Sequence, residues 1–379
     1  MPLYLNEDQI MLRDTARELM AAEGSIANQL RKYRDMECED GFGHALWKQV
    51  AELGLTGILV DEADGGLGLG HVEAGIVLEE IGRNLTPSPF LISAVAVVEA
   101  LRGTAARERW LPGILTGDMV GALAIDEGPK HRPEAIAMKA ERSGNGFRLS
   151  GRKQFVVQGA SADVILVAAR TDEGLTLFAV EKGAAGLDVE GARLADSSIG
   201  ARLTFESVEV DSDAVIGEVG QGEEVLKRVL NAGRAGAASE MVGLGSQAMA
   251  MTVDYLKQRK QFGKLIGEFQ TLQHRASHLY SELEIARSAA LKAQQLLDDP
   301  GSWSGAGISP EAEAMVSVAK AKAGRASTLA VQEGVQMHGG IGMTDEFDIG
   351  LYMKRDRVLN ELFGDANYHA DKLARMRGY

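Results

Sequence analysis

The sequence predicts a mainly α protein with a β domain inserted between two helical halves. Two changes of hydrophobic period and one feature of composition point there. Up to about Asp118 apolar residues recur at three- and four-residue steps, then come as short runs and alternations to about Gln221, after which the helical spacing returns. The chain carries 45 Gly and only 5% aromatic residues, which suits closely packed helices better than an aromatic-rich β fold. The expected domains are residues 1–118 (all α), 119–221 (β) and 222–379 (a helical bundle).

In the first domain Ile10, Leu12, Ala16, Leu19 and Met20 make one apolar stripe with charged residues between them, the pattern of a helix lying on a core. Residues 42–53 and 71–81 give two further helices, and residues 90–101 a fourth after the turn at Pro87 and Pro89. The run Gly65-Gly66-Leu67-Gly68-Leu69-Gly70 misses the G-x-G-x-x-G spacing of a dinucleotide loop, because counting from Gly66 the last position is His71. It reads as a turn that needs unusual dihedrals.

In the middle, residues 164–169 and 175–180 are continuous apolar runs of strand length, and residues 203–210 carry bulky apolar side chains between polar ones. Turns around Gly144 and Gly174 separate the strands. Glu223 and Glu224 then suit a helix start. Leu272, Ala276, Leu279, Leu283, Ala286, Ala290 and Ala293 step by threes and fours, the seam of a long bundle helix. Ser309 and Pro310 supply an N-cap and a first-turn proline. The last helical stretch breaks at Gly339-Gly340-Ile341-Gly342 and is expected to resume through Tyr352 to the C-terminus.

A net charge of −14 argues against nucleic acid or an anionic membrane as a general partner. The single cysteine, Cys38, rules out an internal disulfide and a thiolate-rich metal site. No apolar run has the length of a membrane span, and Glu7 and Asp8 stand where a signal peptide would be apolar, so a reducing cytoplasm is the expected compartment.

One stretch breaks the acidic balance. Lys257, Arg259, Lys260 and Lys264 cluster around Phe262 between two long helical patterns. The cluster reads either as an anion site or as a helix end whose basic residues complement its dipole. His274 and His278, four apart, lack an evident third metal ligand and read as a solvated helix face.

The combination Tyr255-x-x-x-Arg259-x-x-Phe262-Gly263 with Gln270, then Gln336-x-x-Gly339-Gly340-x-Gly342, then Lys354-Arg355-Asp356, resembles the acyl-CoA dehydrogenase family over essentially the whole chain. The resemblance implies an N-terminal helical domain, a middle β-barrel-like domain and a C-terminal four-helix bundle. It implies FAD as cofactor, an acyl-CoA substrate, and a homo- or hetero-oligomer built as a dimer of dimers. In such enzymes a base removes the proton next to the thioester carbonyl and the β-carbon hydride goes to the flavin. By resemblance Arg259 pairs with the FAD pyrophosphate of a neighbouring subunit, with Phe262 and Gln270 nearby. Gln336, Gly339 and Gly340 approach the adenine half, and Asp126 and Phe155 lie beside the flavin ring.

The chemical centre departs from the family pattern. The two positions where the family carries its catalytic glutamate fall on Gly364 and Gly233. Phe155 stands for a tryptophan, Val157 for a hydroxyl donor and Asp126 for a threonine, while Ala366 and Tyr368 replace polar residues. Asp365, next to the vacated position, is the candidate base; Glu361, one helical turn earlier, is expected to pair with Arg357; Glu240 lies two turns beyond Gly233. The ending Phe363-Gly364-Asp365-Ala366-x-Tyr368 resembles small subunits of two-gene acyl-CoA dehydrogenases. That implies a chain acting beside a catalytic paralogue, the alternative being a self-sufficient homo-oligomeric enzyme with Asp365 or another nearby carboxylate as base.

Overall fold

The computed structural model describes residues 3–304 and 307–379. Six helices build the N-terminal part: α1 (Glu7–Ala22), α2 (Lys32–Asp35), α3 (His44–Glu52), α4 (His71–Asn84), α5 (Val98–Leu101) and α6 (Arg107–Leu115). The predicted helix over residues 90–101 is a π-helix, Phe90–Val97, running into α5, and every one of its residues is buried. A segment apolar on all faces has no solvent side, and this one lies between the bundle and the sheet. Its Ser93 hydroxyl accepts the Gly121 N–H at 3.0 Å, fixing the first strand.

That strand opens an eight-stranded sheet: β1 (Gly121–Ala124), β2 (Lys139–Ser143), β3 (Gly146–Val157), β4 (Val164–Thr171), β5 (Gly174–Glu181), β6 (Leu187–Arg193), β7 (Ile199–Val210) and β8 (Val215–Ile216). The order is β6-β7-β3-β2-β4-β5-β8, with β1 parallel to β4. The apolar run of β4 has a direct cause. Ile165, Val167 and Ala169 enter a core enclosed by the curled sheet, while Val164, Leu166 and Ala168 enter the helical core. A strand buried on both faces loses the polar alternation of a half-buried one.

The C-terminal part holds α7 (Gly222–Gln258), α8 (Gln270–Leu297), α9 (Pro310–His338), α10 (Ile349–Glu361) and α11 (Ala366–Met376). Ser309 caps α9 by accepting the Ala312 N–H, with Pro310 in the first turn, as predicted. The 37-residue α7 is the central rod, touching α4, α8, α9 and α10 and buried all round from Val229 to Gly245. Close approach explains its small residues: a Cβ on Gly243 would stand 1.9 Å from the Glu79 carbonyl oxygen of α4. The predicted helix through to the C-terminus is instead two helices, because Phe363 and Gly364 both have positive φ, 60° and 99°. Among the described residues no helix is long and apolar enough to cross a membrane.

Candidate functional site

The sequence-predicted residues fall into two groups, one near Gly233 and Arg234 within α7 and one at its C-terminal end. The first surrounds a 390 Å³ cavity between the loop after β1, strand β3 and α10, lined by Asp126, His131, Gln154, Phe155, Arg357 and Glu361 among others. Between Lys153 and Val156 the β3 register slips, and Phe155 takes φ of 52°. A bulge re-aims a side chain in this way, and here it brings Phe155 to the cavity wall. The fully buried Lys153 ammonium donates to Glu127 at 2.8 Å and to the Ile125 carbonyl at 3.0 Å. Burial alone would raise the Glu127 carboxyl, but Lys153 and the Ala137 and Met138 amides hold it below its ordinary range.

Asp126 meets the Nδ1 of His131 at 2.9 Å and accepts the Arg132 N–H at 3.1 Å. Burial lowers the His131 pKa, against the pull of Asp126. Its Nε2 meets the Arg234 guanidinium at 3.2 Å, so the consistent assignment is a neutral ring that donates from Nδ1 and accepts at Nε2.

Both vacated glutamate positions are occupied by aromatic rings. A Cβ on Gly233 would lie 2.7 Å from the Phe363 ring, and one on Gly364 would lie 2.5 Å from the Tyr368 ring. Arg234 secures this segment, donating to the Phe363 carbonyl at 3.1 Å and the Tyr368 hydroxyl at 3.3 Å. From the other side Lys320 donates to the carbonyls of Leu359, Asn360 and Gly364 at 3.0, 3.3 and 2.9 Å. Gly364→Ala is expected to cost about 2–4 kcal/mol, combining a forced positive φ with overpacking, read as a lowered midpoint in thermal or urea unfolding.

The candidate carboxylates are spread apart. Asp365 is the N-cap of α11, accepting the Tyr368 N–H at 2.7 Å, and it lines a separate 520 Å³ cavity with Thr328, Gln332 and Asn360. Glu361 does pair with Arg357, at 2.9 Å, and lines both cavities. It is not one helical turn from Asp365 as expected, since α10 ends at Glu361 and the chain turns through Phe363 and Gly364. Glu240 is taken up by Arg355, at 2.6 Å, which also holds Asp196 at 2.7 Å.

The second group sits where α7 ends and α8 begins. Strands β9 (Lys260–Gln261) and β10 (Lys264–Leu265) are joined by Phe262 and Gly263, with φ of 52° and 81°. Paired positive φ values make this a two-residue hairpin turn of the type that favours glycine at its second position. Phe262, 90% exposed, stands at its tip. Arg259 and Gln270 are exposed beside it, and Gln336, Gly339 and Gly340 are exposed at the end of α9. A ring stack of Tyr255, His338 and Phe347, with centroids 4.5 and 4.6 Å apart, joins α7, α9 and the start of α10. Along α7, Arg234 to Gln258 spans about 36 Å at 1.5 Å per residue.

The residues missed in sequence reasoning are His131, Lys320 and His369, whose buried ring meets the Phe363 carbonyl at 3.2 Å, together with the role of Arg234. An arginine amid Ala232, Gly233, Ala235 and Gly236 was the available signal, because small residues mark close packing in which a cation needs built partners.

Three family descriptions match the chain: acyl-CoA dehydrogenase N-terminal domain over residues 6–118, middle domain over 126–208 and C-terminal domain over 220–377. Mitochondrial isovaleryl-CoA dehydrogenase of Solanum tuberosum is 33% identical over 335 residues, 84% of this chain and 78% of that protein. The enzyme of the same name from Pongo abelii is 30% identical over 385 residues, 94% of this chain and 85% of that one. Among solved structures, a variant of the Tcur3481-Tcur3483 steroid ACAD superposes with a TM-score of 0.87 at 28% identity, covering 98% of each chain.

Proposed function

The chain belongs to the acyl-CoA dehydrogenase family, whose members are FAD-dependent, and on that premise we propose that it is a flavoprotein subunit acting beside a catalytic relative in the α,β-dehydrogenation of an acyl-CoA thioester. The observation that carries the reading is the pair of aromatic rings filling the spaces beside Gly233 and Gly364, which leaves no room for a carboxylate at either position. The exposed end of the bundle supports it. Arg259 has no ion pair among the described residues, and about 36 Å of α7 lies between Gln258 and Arg234, whose guanidinium meets His131 at the wall of the 390 Å³ cavity. On this reading a cofactor gripped by Arg259, Phe262, Gln270, Gln336 and the backbone at Gly339 and Gly340 has its ring in another subunit.

The residues present fit FAD at both ends in different degrees. Phe155 offers a flat apolar wall and the loop from Asp126 to His131 a polar rim for the ring, while Arg259 matches the diphosphate as a planar, permanently charged donor. When bound, FAD accepts the hydride that leaves the acyl β carbon. Within this chain, Lys153 and Glu127 hold the rim loop against β3, and Arg234 keeps the 363–364 segment fixed. The structural relative named for Tcur3481 together with Tcur3483 favours a two-polypeptide assembly.

A second reading rests on Glu361, which lines both cavities, and on Asp365 beside it. In that case the chain alone would dehydrogenate an acyl-CoA with one of these carboxylates as base.

Absorption spectra of the purified chain, alone and coexpressed with its paralogue, test the proposal. Little flavin is expected alone and a full flavin spectrum in the mixed oligomer. Arg259→Ala should weaken flavin retention in that oligomer by at least about tenfold, a loss of about 2 kcal/mol for a charged hydrogen-bonding partner. A yellow homo-oligomer that reduces an electron acceptor with an acyl-CoA, and stops on Asp365→Asn or Glu361→Gln, would overturn it.

A further inference from the structure

The arch after α9, Gly339–Met343, has little to hold it from within. Gly339 takes φ of 65°, and a Cβ on Gly342 would stand 2.9 Å from the Val335 carbonyl oxygen, so both positions call for glycine. Gly340 has neither reason: its φ is not positive, and nothing lies within 4 Å of where its Cβ would be. A glycine without a dihedral or packing demand leaves its backbone bare toward the outside. Ile341 and Met343 are both exposed, so neither side chain ties the arch to the core.

Two cations from the N-terminal part hold the segment that follows. Arg31 ends a short π-helical turn, Ala27–Arg31, that runs into α2, and Arg34 lies in α2 itself. Arg34 grips the Asp345 carboxylate with both Nη atoms, at 2.9 and 3.0 Å, while its Nε donates to Asp35 at 2.7 Å. Arg31 donates to the Asp345 carboxylate at 3.1 Å, to the Asp345 carbonyl at 2.6 Å and to Asp348 at 2.7 Å. On the inner side the Phe347 ring lies against His338. A lone surface ion pair contributes little, but a bidentate pair inside a network of several charges is the arrangement in which such contacts count.

We propose that Arg31 and Arg34 are positioning residues: by clamping Asp345 and Asp348 they fix the arch in the conformation that offers Gln336 and the bare backbone of Gly339 and Gly340 to the adenine half of the flavin. The inference rests on the reading of that end of the bundle as the grip on a neighbour's cofactor. It adds that the N-terminal domain takes part in the grip, acting through the two aspartates. An arch released from the clamp would sample other conformations, and flavin would be held less tightly in proportion to the fraction that remains competent.

Amide hydrogen exchange of the full chain tests the clamp without flavin. In the double variant Arg31→Ala/Arg34→Ala, residues 339–348 should exchange at least about tenfold faster than in wild type, as expected when a local restraint is lost, while α7 and α8 stay unchanged. In the mixed oligomer with the paralogue, the same variant should hold flavin at least about threefold less tightly, the loss expected when about a third of the arches remain competent. Arg31→Lys/Arg34→Lys keeps both charges and should recover most of that loss; a staple serving only the stability of the fold would lower the urea midpoint and leave flavin retention unchanged. Unchanged exchange over residues 339–348, unchanged flavin retention, or a lysine variant as weak as the alanine one would overturn the inference. If wild type carries no flavin in the mixed oligomer, or Arg259→Ala retains it in full, the partner reading falls, and the exchange result still decides whether the two arginines hold the arch.

Discussion

Replacing Arg355 with methionine is expected to destabilise the protein by about 3–5 kcal/mol at neutral pH, the cost of leaving buried charges without their partner. The guanidinium donates from Nε and Nη2 to Glu240 at 2.8 and 2.6 Å, and from Nη1 to Asp196 at 2.7 Å. Both carboxylate side chains are 2% exposed. Burial would lower the arginine's pKa, but the two carboxylates hold it above its ordinary range. Glu240 lies on α7 and Asp196 follows β6, so Arg355 on α10 is the rivet between bundle and sheet. Methionine keeps the stem and removes the charge. In the variant, burial raises the Glu240 carboxyl with the opposing pull of Arg355 gone, so protonation favours the folded form and the deficit should shrink as pH falls from about 7 to 5. Urea unfolding across that range is the measurement, and a deficit that stays constant or grows on acidification would rule the account out.

Lys320→Met is expected to produce the second large loss, about 3 kcal/mol, because it removes the donor shared by the last carbonyls of α10 and by Gly364. The loss should also depend on pH. Burial, reinforced by Arg234, lowers the Lys320 pKa to about 7, whereas an unfolded lysine titrates near 10.4. Between those values the unfolded chain binds more protons than the folded one, so this group makes stability rise with pH. Below about 7 both states are charged and the burial penalty is fully present; above about 10 both are neutral. The neutral amine keeps two N–H groups, enough for the closer carbonyls. The gap between wild type and Lys320→Met should therefore widen by about 2 kcal/mol between pH 7 and 9, seen as a growing difference in urea midpoints. A gap that narrows over this range would show that the ammonium is the form the fold prefers.

Much of the local architecture was legible because its causes are local. The Ser309-Pro310 start of α9, the acidic first turn of α7 and the β4 run depend on residues within a few positions of one another. Misreadings arose where distant parts decide. Residues 90–101 carry a helical pattern, yet the winding over Phe90–Val97 is π-helical, in a segment wholly buried between bundle and sheet. Asp365 and Glu361 have helical spacing, yet Phe363 and Gly364 turn the chain between them, pinned by Arg234 and Lys320 from other helices. Glu240 reads as a carboxylate two turns from Gly233, but α10 claims it through Arg355.

By itself, the sequence determined the order of helical, sheet and helical parts, the caps and turns, the family, and the absence of a glutamate at positions 233 and 364. Each of these is written in residue type and short-range spacing. Only the tertiary structure decided what fills those two spaces, which carboxylates Arg355 holds, and which groups pin the turn at Phe363 and Gly364. Those answers depend on side chains that meet across more than a hundred positions of sequence, such as Arg234 with Phe363, and no local period encodes such a meeting.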